Sequence, residues 1–282
     1  MYNETRSENR SYNAHAQLPT DFDLTKVTPL DSAIYDADVD FLSTLTGIKD
    51  PEELKQHILK VQADAYAVFP YPCIRNFAIS KTKINHYPAY QDLLKLGKER
   101  KGAIFLELAC CVGNDIRRAV LDGFPASQAV GTDLNAGKQT GFYPAFILKQ
   151  RLTPFRVVSK GFWDVGHMLF KSTSETFPVK FIAGDILQPS FFDPQAKVED
   201  SPPDLTTLAS LTPLVGHVSA IHASSFFHLF DEEHQLKLAH LVNALLSPEP
   251  GSIAFGAHGG LPEKGLRVGS LKFGETSKPM TR

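Results

Sequence analysis

From Ala103 onward the chain alternates short apolar runs with helical segments, and that alternation constrains the fold more than any other feature. Runs that are apolar throughout and only about seven residues long suit strands covered on both faces. Such strands belong to parallel sheets, where helices form the crossovers. We read five of them: AIFLELA (103–109), AVGTDL (129–134), FIAGDIL (181–187), VSAIHAS (218–224) and SIAFGAH (252–258). Helices are predicted over Asn114 to Asp122, around Phe142 to Arg151, and from Asp231 to Leu246, where Leu238, Leu241, Val242, Leu245 and Leu246 recur at helical spacing. The expected fold is α/β, with a doubly wound, mostly parallel, Rossmann-like sheet over residues 103–282.

Upstream lies a different composition. Residues 1–20 are rich in Asn, Ser, Arg and Glu and too poor in apolar side chains to offset the entropy of ordering, which predicts a mobile arm. Residues 21–102 read as a helical extension. In it, Asp50 can cap a helix, Pro51 fits its first position and Glu53 completes a capping-box-like pair, while Pro70 and Pro72 stop it. A second helix is expected from Tyr90 to about Arg100, ending in the basic run Lys98 to Lys101, which suits the helix dipole. Residues 191–213 hold four prolines and several acids, and read as a surface loop able to act as a lid.

The charge balance excludes several functions. With 29 Lys and Arg against 31 Asp and Glu, the net charge is −2, and no basic surplus exists to bind nucleic acid. No apolar run approaches the roughly 20 residues that span a bilayer. The polar start MYNETRSENRSYNAH lacks a signal peptide's apolar core, so a cytoplasmic location is expected. Three cysteines, Cys73, Cys110 and Cys111, suit a reducing compartment, and their spacing predicts no metal site.

In a wound parallel sheet, ligands bind outside the carboxyl ends of the strands. Those ends are acidic here. The first strand carries Glu107 and runs through Cys110, Cys111 and Gly113 into a helix start; the second ends at Asp133, twenty residues after Gly113; the third ends at Asp185. An acid at the second position is placed to accept both hydroxyls of a ribose. A dinucleotide would call for three glycines against its pyrophosphate, and the turn offers one. S-adenosylmethionine has no phosphate and carries an amine, a diol, an ammonium and a sulfonium, all of which acids can meet. The residues favour that methyl donor, with a dinucleotide as the alternative.

The strings PYPCIRNF (70–77), FLELACCVGNDIRRAVLDG (105–123), VGTDL (130–134), FIAGDIL (181–187), IHASSFFHLFDEEHQ (221–235) and LLSPEPGSIAFGAHGG (245–260) resemble the fungal class I methyltransferases of meroterpenoid biosynthesis. The resemblance runs from Glu52 to Gly260. It implies methyl transfer from S-adenosylmethionine to an oxygen, typically of a carboxyl group, in a polyketide-terpenoid intermediate, often by a homodimer. It places donor contacts at Glu107, Gly113, Asp133, Leu134, Asp185, Ile186 and Ala223. His222 and His228 are the candidates to orient or deprotonate a hydrophobic acceptor. Only 24 residues follow His258, too few for the helix and hairpin with which such folds usually end, so a shortened C-terminus is expected. Two alternatives keep the scaffold and drop the transfer: a donor-binding protein that guides a cyclisation, or one that has lost activity.

Overall fold

A computed structural model describes residues 38–68, 74, 77–134 and 161–258 of the chain. The predicted arm at residues 1–20 and the helix expected around Phe142 to Arg151 lie outside the described residues.

Among the described residues, the helices α1 (Val39–Thr46), α2 (Pro51–Val68) and α3 (Tyr90–Glu99) precede the sheet. Asp50 caps α2 as its position suggests, with Oδ1 accepting the Glu53 N–H at 2.8 Å. The basic run after α3 is more than a solvated end. Arg100 clasps a distant turn, donating to the Pro250 carbonyl at 2.6 Å and to Ser252 Oγ at 2.8 Å.

The sheet then forms from β1 (Phe105–Leu108), β2 (Ala129–Asp133), β3 (Lys180–Ala183), β4 (Ala220–His222) and β5 (Ile253–Phe255). Helix α4 (Asn114–Leu121) links β1 to β2, α5 (Phe162–Leu169) precedes β3, and α6 (Glu232–Leu245) links β4 to β5. The spatial order is β3-β2-β1-β4-β5, and every pairing is parallel. The chain therefore winds outward from β1 to β3, crosses back, and resumes beside β1 at β4. That reversal opens a crevice at the carboxyl ends of β1 and β4. The register sets Glu107 opposite both Gly131 and His222, and Asp133 opposite Ala183.

Strand side chains alternate between two apolar layers. Leu106, Leu108, Val130, Ile182 and Ile221 face the α6 stripe Leu238, Leu241, Val242 and Leu245. Phe105, Ala129 and Ala220 face α3, α4 and Trp163. A third cluster joins α1 and α2, through Phe41, Leu42, Leu54 and Ile58, to α5 through Phe162, Val165 and Leu169. The segment expected as a surface loop is pinned instead: Phe191, Phe192, Leu208, Leu211 and Leu214 are buried in it. Gly184 is the reason, since a Cβ there would lie 2.2 Å from the Phe191 ring, which fills that space.

Asp231 caps α6, accepting the His234 N–H at 2.9 Å, while Leu238 is fully buried beneath the same helix. Asp231→Ala should cost about 1 kcal/mol and Leu238→Ala about 2–5 kcal/mol. Urea denaturation checks both, and a larger loss for the cap would refute the packing.

Candidate active site

The β1–α4 turn is held in a strained shape. Ala109 (φ 54°), Cys111 (φ 51°) and Gly113 (φ 71°) all take left-handed backbone, which costs a non-glycine residue about 1–3 kcal/mol. Such strain persists only where the surroundings impose it. Here they do: Cys110 donates its N–H to the Thr132 carbonyl at 3.1 Å, and Gly113 donates to the Cys110 carbonyl at 2.7 Å. From below, a Cβ on Gly113 would lie 2.6 Å from the Trp163 ring, and one on Gly131 would lie 3.2 Å from it. Trp163 in turn stacks on Phe181, with centroids 4.9 Å apart and planes 9° from parallel.

Arg117, on α4, supports that floor. Its buried guanidinium lies over Phe177 (3.9 Å) and Phe170 (4.7 Å) and donates to Ser172 Oγ at 3.0 Å. Burial lowers its pKa to about 9.

At the centre of the crevice Glu107 and His222 meet. Glu107 Oε2 accepts the Ile116 N–H at 2.9 Å, and Oε1 lies 3.3 Å from His222 Nδ1. One carboxyl thus ties β1 to β4 and to the first turn of α4. Burial raises its pKa from 4.5 to about 7, against the lowering effects of the His222 and Ile116 hydrogen bonds. Glu107 therefore keeps its proton up to about pH 7. His222 is 0 % exposed, with Tyr87 and Phe255 rings packed on it at 5.8 and 5.2 Å. Asp115 stands beside the pair, and the three side chains offer ligand atoms within 4.8 Å of one another. Asp115 Oδ1 is already committed to the N–H groups of Lys83 (2.6 Å) and Ile84 (3.0 Å). These partners account for the acidic cluster as a hydrogen-bonded clamp.

The other predicted donor residues lie around this clamp. Asp133 ends β2, and its Oδ2 accepts the Cys111 N–H at 2.9 Å, stitching it to the strained turn. Gly184 donates to the Asp133 carbonyl at 3.0 Å, which brings Asp185 close behind. Asp185 Oδ1 accepts the Leu187 N–H at 2.9 Å. Leu134 is 45 % exposed, whereas the Ile186 side chain is buried in the layer under α6. Cys110 is buried, which pushes its thiol well above the ordinary value, while Cys111 is half-buried at the turn. Ala223 follows His222 and donates its N–H to the Phe255 carbonyl at 3.0 Å. His228 is half-buried on a short turn after β4, its ring 6.4 Å from that of His258.

Several residues escaped the sequence reading. Asp115, Arg117 and Trp163 are set by packing between distant elements, and so are Lys83 and Tyr87, which reach the end of β4 from the N-terminal extension. Lys83 Nζ donates to Ser225 Oγ at 3.0 Å, and Tyr87 Oη lies 2.7 Å from Ser224 Oγ. Helix α5 did carry a signal, because Phe162, Val165 and Leu169 stand at helical spacing.

Two outcomes test this geometry. Gly113→Ala puts an alanine into left-handed backbone, at about 1–2 kcal/mol, and adds the clash with the chain's only tryptophan. It should destabilise the protein in a urea titration followed by Trp163 fluorescence, and an unchanged midpoint would refute the cradle. For Glu107, the folded pKa lies above the unfolded one, so its stabilising contribution is full below pH 4.5 and lost as pH rises through about 7. Across that window the melting temperature of the wild type should fall relative to Glu107→Gln; parallel profiles would contradict the buried pair.

Comparison with known proteins agrees with this architecture. Residues 26–79 match the family model described as the meroterpenoid methyltransferase N-terminal domain. The chain is 30 % identical over 229 residues to O-methyltransferase phiE of a fungal species (strain ATCC 74256), covering 81 % of this chain and 59 % of that protein. It is 31 % identical over 204 residues to the asnovolin E/chermesin D methyltransferase nvfJ of Aspergillus novofumigatus, covering 72 % and 58 %. With methyltransferase ausD of Penicillium brasilianum it shares 25 % identity over 232 residues, 78 % of this chain and 68 % of that one. The chain thus spans about three fifths of the length of the first two relatives. Together with the all-parallel sheet and the acids at its carboxyl edge, these likenesses make the chain similar to fungal methyltransferases, and to the meroterpenoid methyltransferases over residues 26–79.

Proposed function

We propose that the protein is an S-adenosylmethionine-dependent O-methyltransferase that esterifies the carboxyl group of a hydrophobic polyketide-terpenoid intermediate. The observation that carries this reading is the place of Asp133: a carboxylate at the end of β2, tied to a left-handed turn that ends in Gly113 at the head of α4. The names of phiE, nvfJ and ausD support methyl transfer, and nvfJ is named for asnovolin E and chermesin D. S-adenosylmethionine, when bound, supplies a sulfonium methyl group whose C–S electron pair leaves with sulfur as an acceptor oxygen forms the new C–O bond.

The residues present fit that donor. Asp133 would accept hydrogen bonds from the ribose hydroxyls, and Asp185, Ile186 and Leu134 would hold the adenine. Gly113 is required at the turn because Trp163 fills the space that a Cβ would take. Glu107 acts from beneath. Its oxygens are occupied by Ile116 and His222, so it shapes the turn and does not itself reach the donor. A carboxylate acceptor is ionised near neutral pH and needs no general base. The protein's task is then alignment and exclusion of water. His222, sealed under Tyr87 and Phe255, positions β4 and Ala223; His228 is the histidine with side-chain surface to present to an acceptor.

Titration calorimetry with the donor tests the placement. Asp133→Ala removes charge-assisted hydrogen bonds of about 1.5–3 kcal/mol each, so affinity should fall at least about tenfold. Asp133→Asn keeps an acceptor for Cys111 and should fall less. Unchanged affinity in both would reject the site. The reaction is tested with methyl-labelled donor and a meroterpenoid acid. Label should enter a base-labile ester; label in a base-stable product would contradict the carboxyl target.

A further inference from the structure

The carboxyl reading leaves one electrostatic problem. The carboxyl edge of the sheet carries Asp115, Asp133 and Asp185, whose charges repel an anionic acceptor. We propose that Lys83, with Tyr87 beside it, is the residue pair that recognises the acceptor's carboxylate at the end of β4. This inference rests on the function proposed above and names the side chains that would select an acid.

Four observations carry it. First, the segment bearing Lys83 is fixed on the crevice by anchors on both sides. Thr82 donates its N–H to Asp38 Oδ2 at 2.5 Å, Lys83 and Ile84 donate theirs to Asp115 Oδ1, and the Asn114 side chain donates to the Lys81 carbonyl. The lysine therefore starts from a rigid backbone. Second, its ammonium is directed to β4: Nζ donates to Ser225 Oγ at 3.0 Å, three residues beyond His222. Ser225 itself is strained at φ 54° and held by its N–H on the Ala257 carbonyl at 2.7 Å. Third, Lys83 is half-buried, and among the described residues no carboxylate lies within ion-pair distance of it. An ammonium has three N–H donors, so two remain beyond the serine. Fourth, the walls nearby are apolar. The Tyr87 ring packs on Phe255 at 6.2 Å while its hydroxyl lies against Ser224, and Phe226 is buried on the same turn.

The Lys83–Ser225 pair is open to solvent, so the ammonium draws a carboxylate there through its charge and charge-assisted hydrogen bonds, beside the half-buried Tyr87 ring. Ser225 accepts from Lys83 and keeps its own O–H as a neutral donor for the second oxygen, while the Tyr87 and Ser224 hydroxyls are bonded to each other beside it. The same pairing favours release, because an ester has no charge to offer Lys83. The device would sort acids from neutral terpenoids and substrate from product.

Binding decides the matter without turnover. The probes are dehydroabietic acid and its methyl ester, titrated at pH 8 into the full chain with and without S-adenosylhomocysteine. The wild type should bind the acid about tenfold or more tightly than the ester, as the loss of one charge-assisted bond implies. Lys83→Met should abolish that preference, Lys83→Arg should retain it, and S-adenosylhomocysteine affinity should be the same in all three. Equal or absent binding of the acid by the wild type, or a preference that survives in Lys83→Met, would overturn the proposal. Failure of the wild type to bind S-adenosylhomocysteine is a separate result, which would strike the methyl-donor reading and leave the acid-to-ester ratio to judge Lys83.

Discussion

A single buried carboxyl group organises the mouth of this sheet. Glu107 touches the first turn of α4 through Ile116 and the end of β4 through His222, so the two strands on either side of the winding reversal share one side chain. Burying a carboxylate is costly unless its oxygens are met by donors. Glu107 meets that demand with one backbone N–H and one imidazole, and holds its proton to about pH 7. Asp115, a turn away, extends the arrangement to the N-terminal extension by gripping the backbone of Lys83 and Ile84. The crevice is therefore assembled from three parts of the chain that meet around one acid.

That clamp explains how the turn above it tolerates left-handed backbone at Ala109 and Cys111. The strain is held between Asp133 on one side and Trp163 on the other, and Trp163 is braced by Phe181 and by the buried guanidinium of Arg117. The extension carries part of this load. Its apolar residues Phe41, Leu54 and Ile58 pack in one cluster with Val112 of the turn and with α5. Removing the extension would expose that cluster and loosen the turn, which ties the helical segment to the site and not to a separate module.

Much of the fold was legible because buried parallel strands write themselves as short apolar runs. Each of the five runs overlaps a strand, β3 starting one residue early at Lys180, and each strand is shorter than its run, because apolar flanks such as Ile186 and Leu187 leave the ladder and still pack beneath α6. The α6 stripe and the Asp50 and Asp231 caps were equally plain, being local patterns. Less was legible where residues act across distance. Periodicity cannot say that Arg117 would bury its charge among Phe170 and Phe177, that Phe191 would anchor a proline-rich segment over Gly184, or that Lys83 would reach Ser225. Within the site, the acids at strand ends were visible as residue types. That Glu107 spends both oxygens on the protein itself, while Asp133 faces the turn, depends on register and packing alone.

The central claim is that a nucleoside donor lies across the ends of β1 and β2, against Asp133 and above Gly113. A crystal structure of the full chain with S-adenosylhomocysteine tests it most directly. The account predicts both ribose hydroxyls within hydrogen-bond distance of the Asp133 carboxylate, with the Glu107–His222 contact intact below. Nucleoside density elsewhere on the sheet, or a ribose turned away from Asp133, would contradict it.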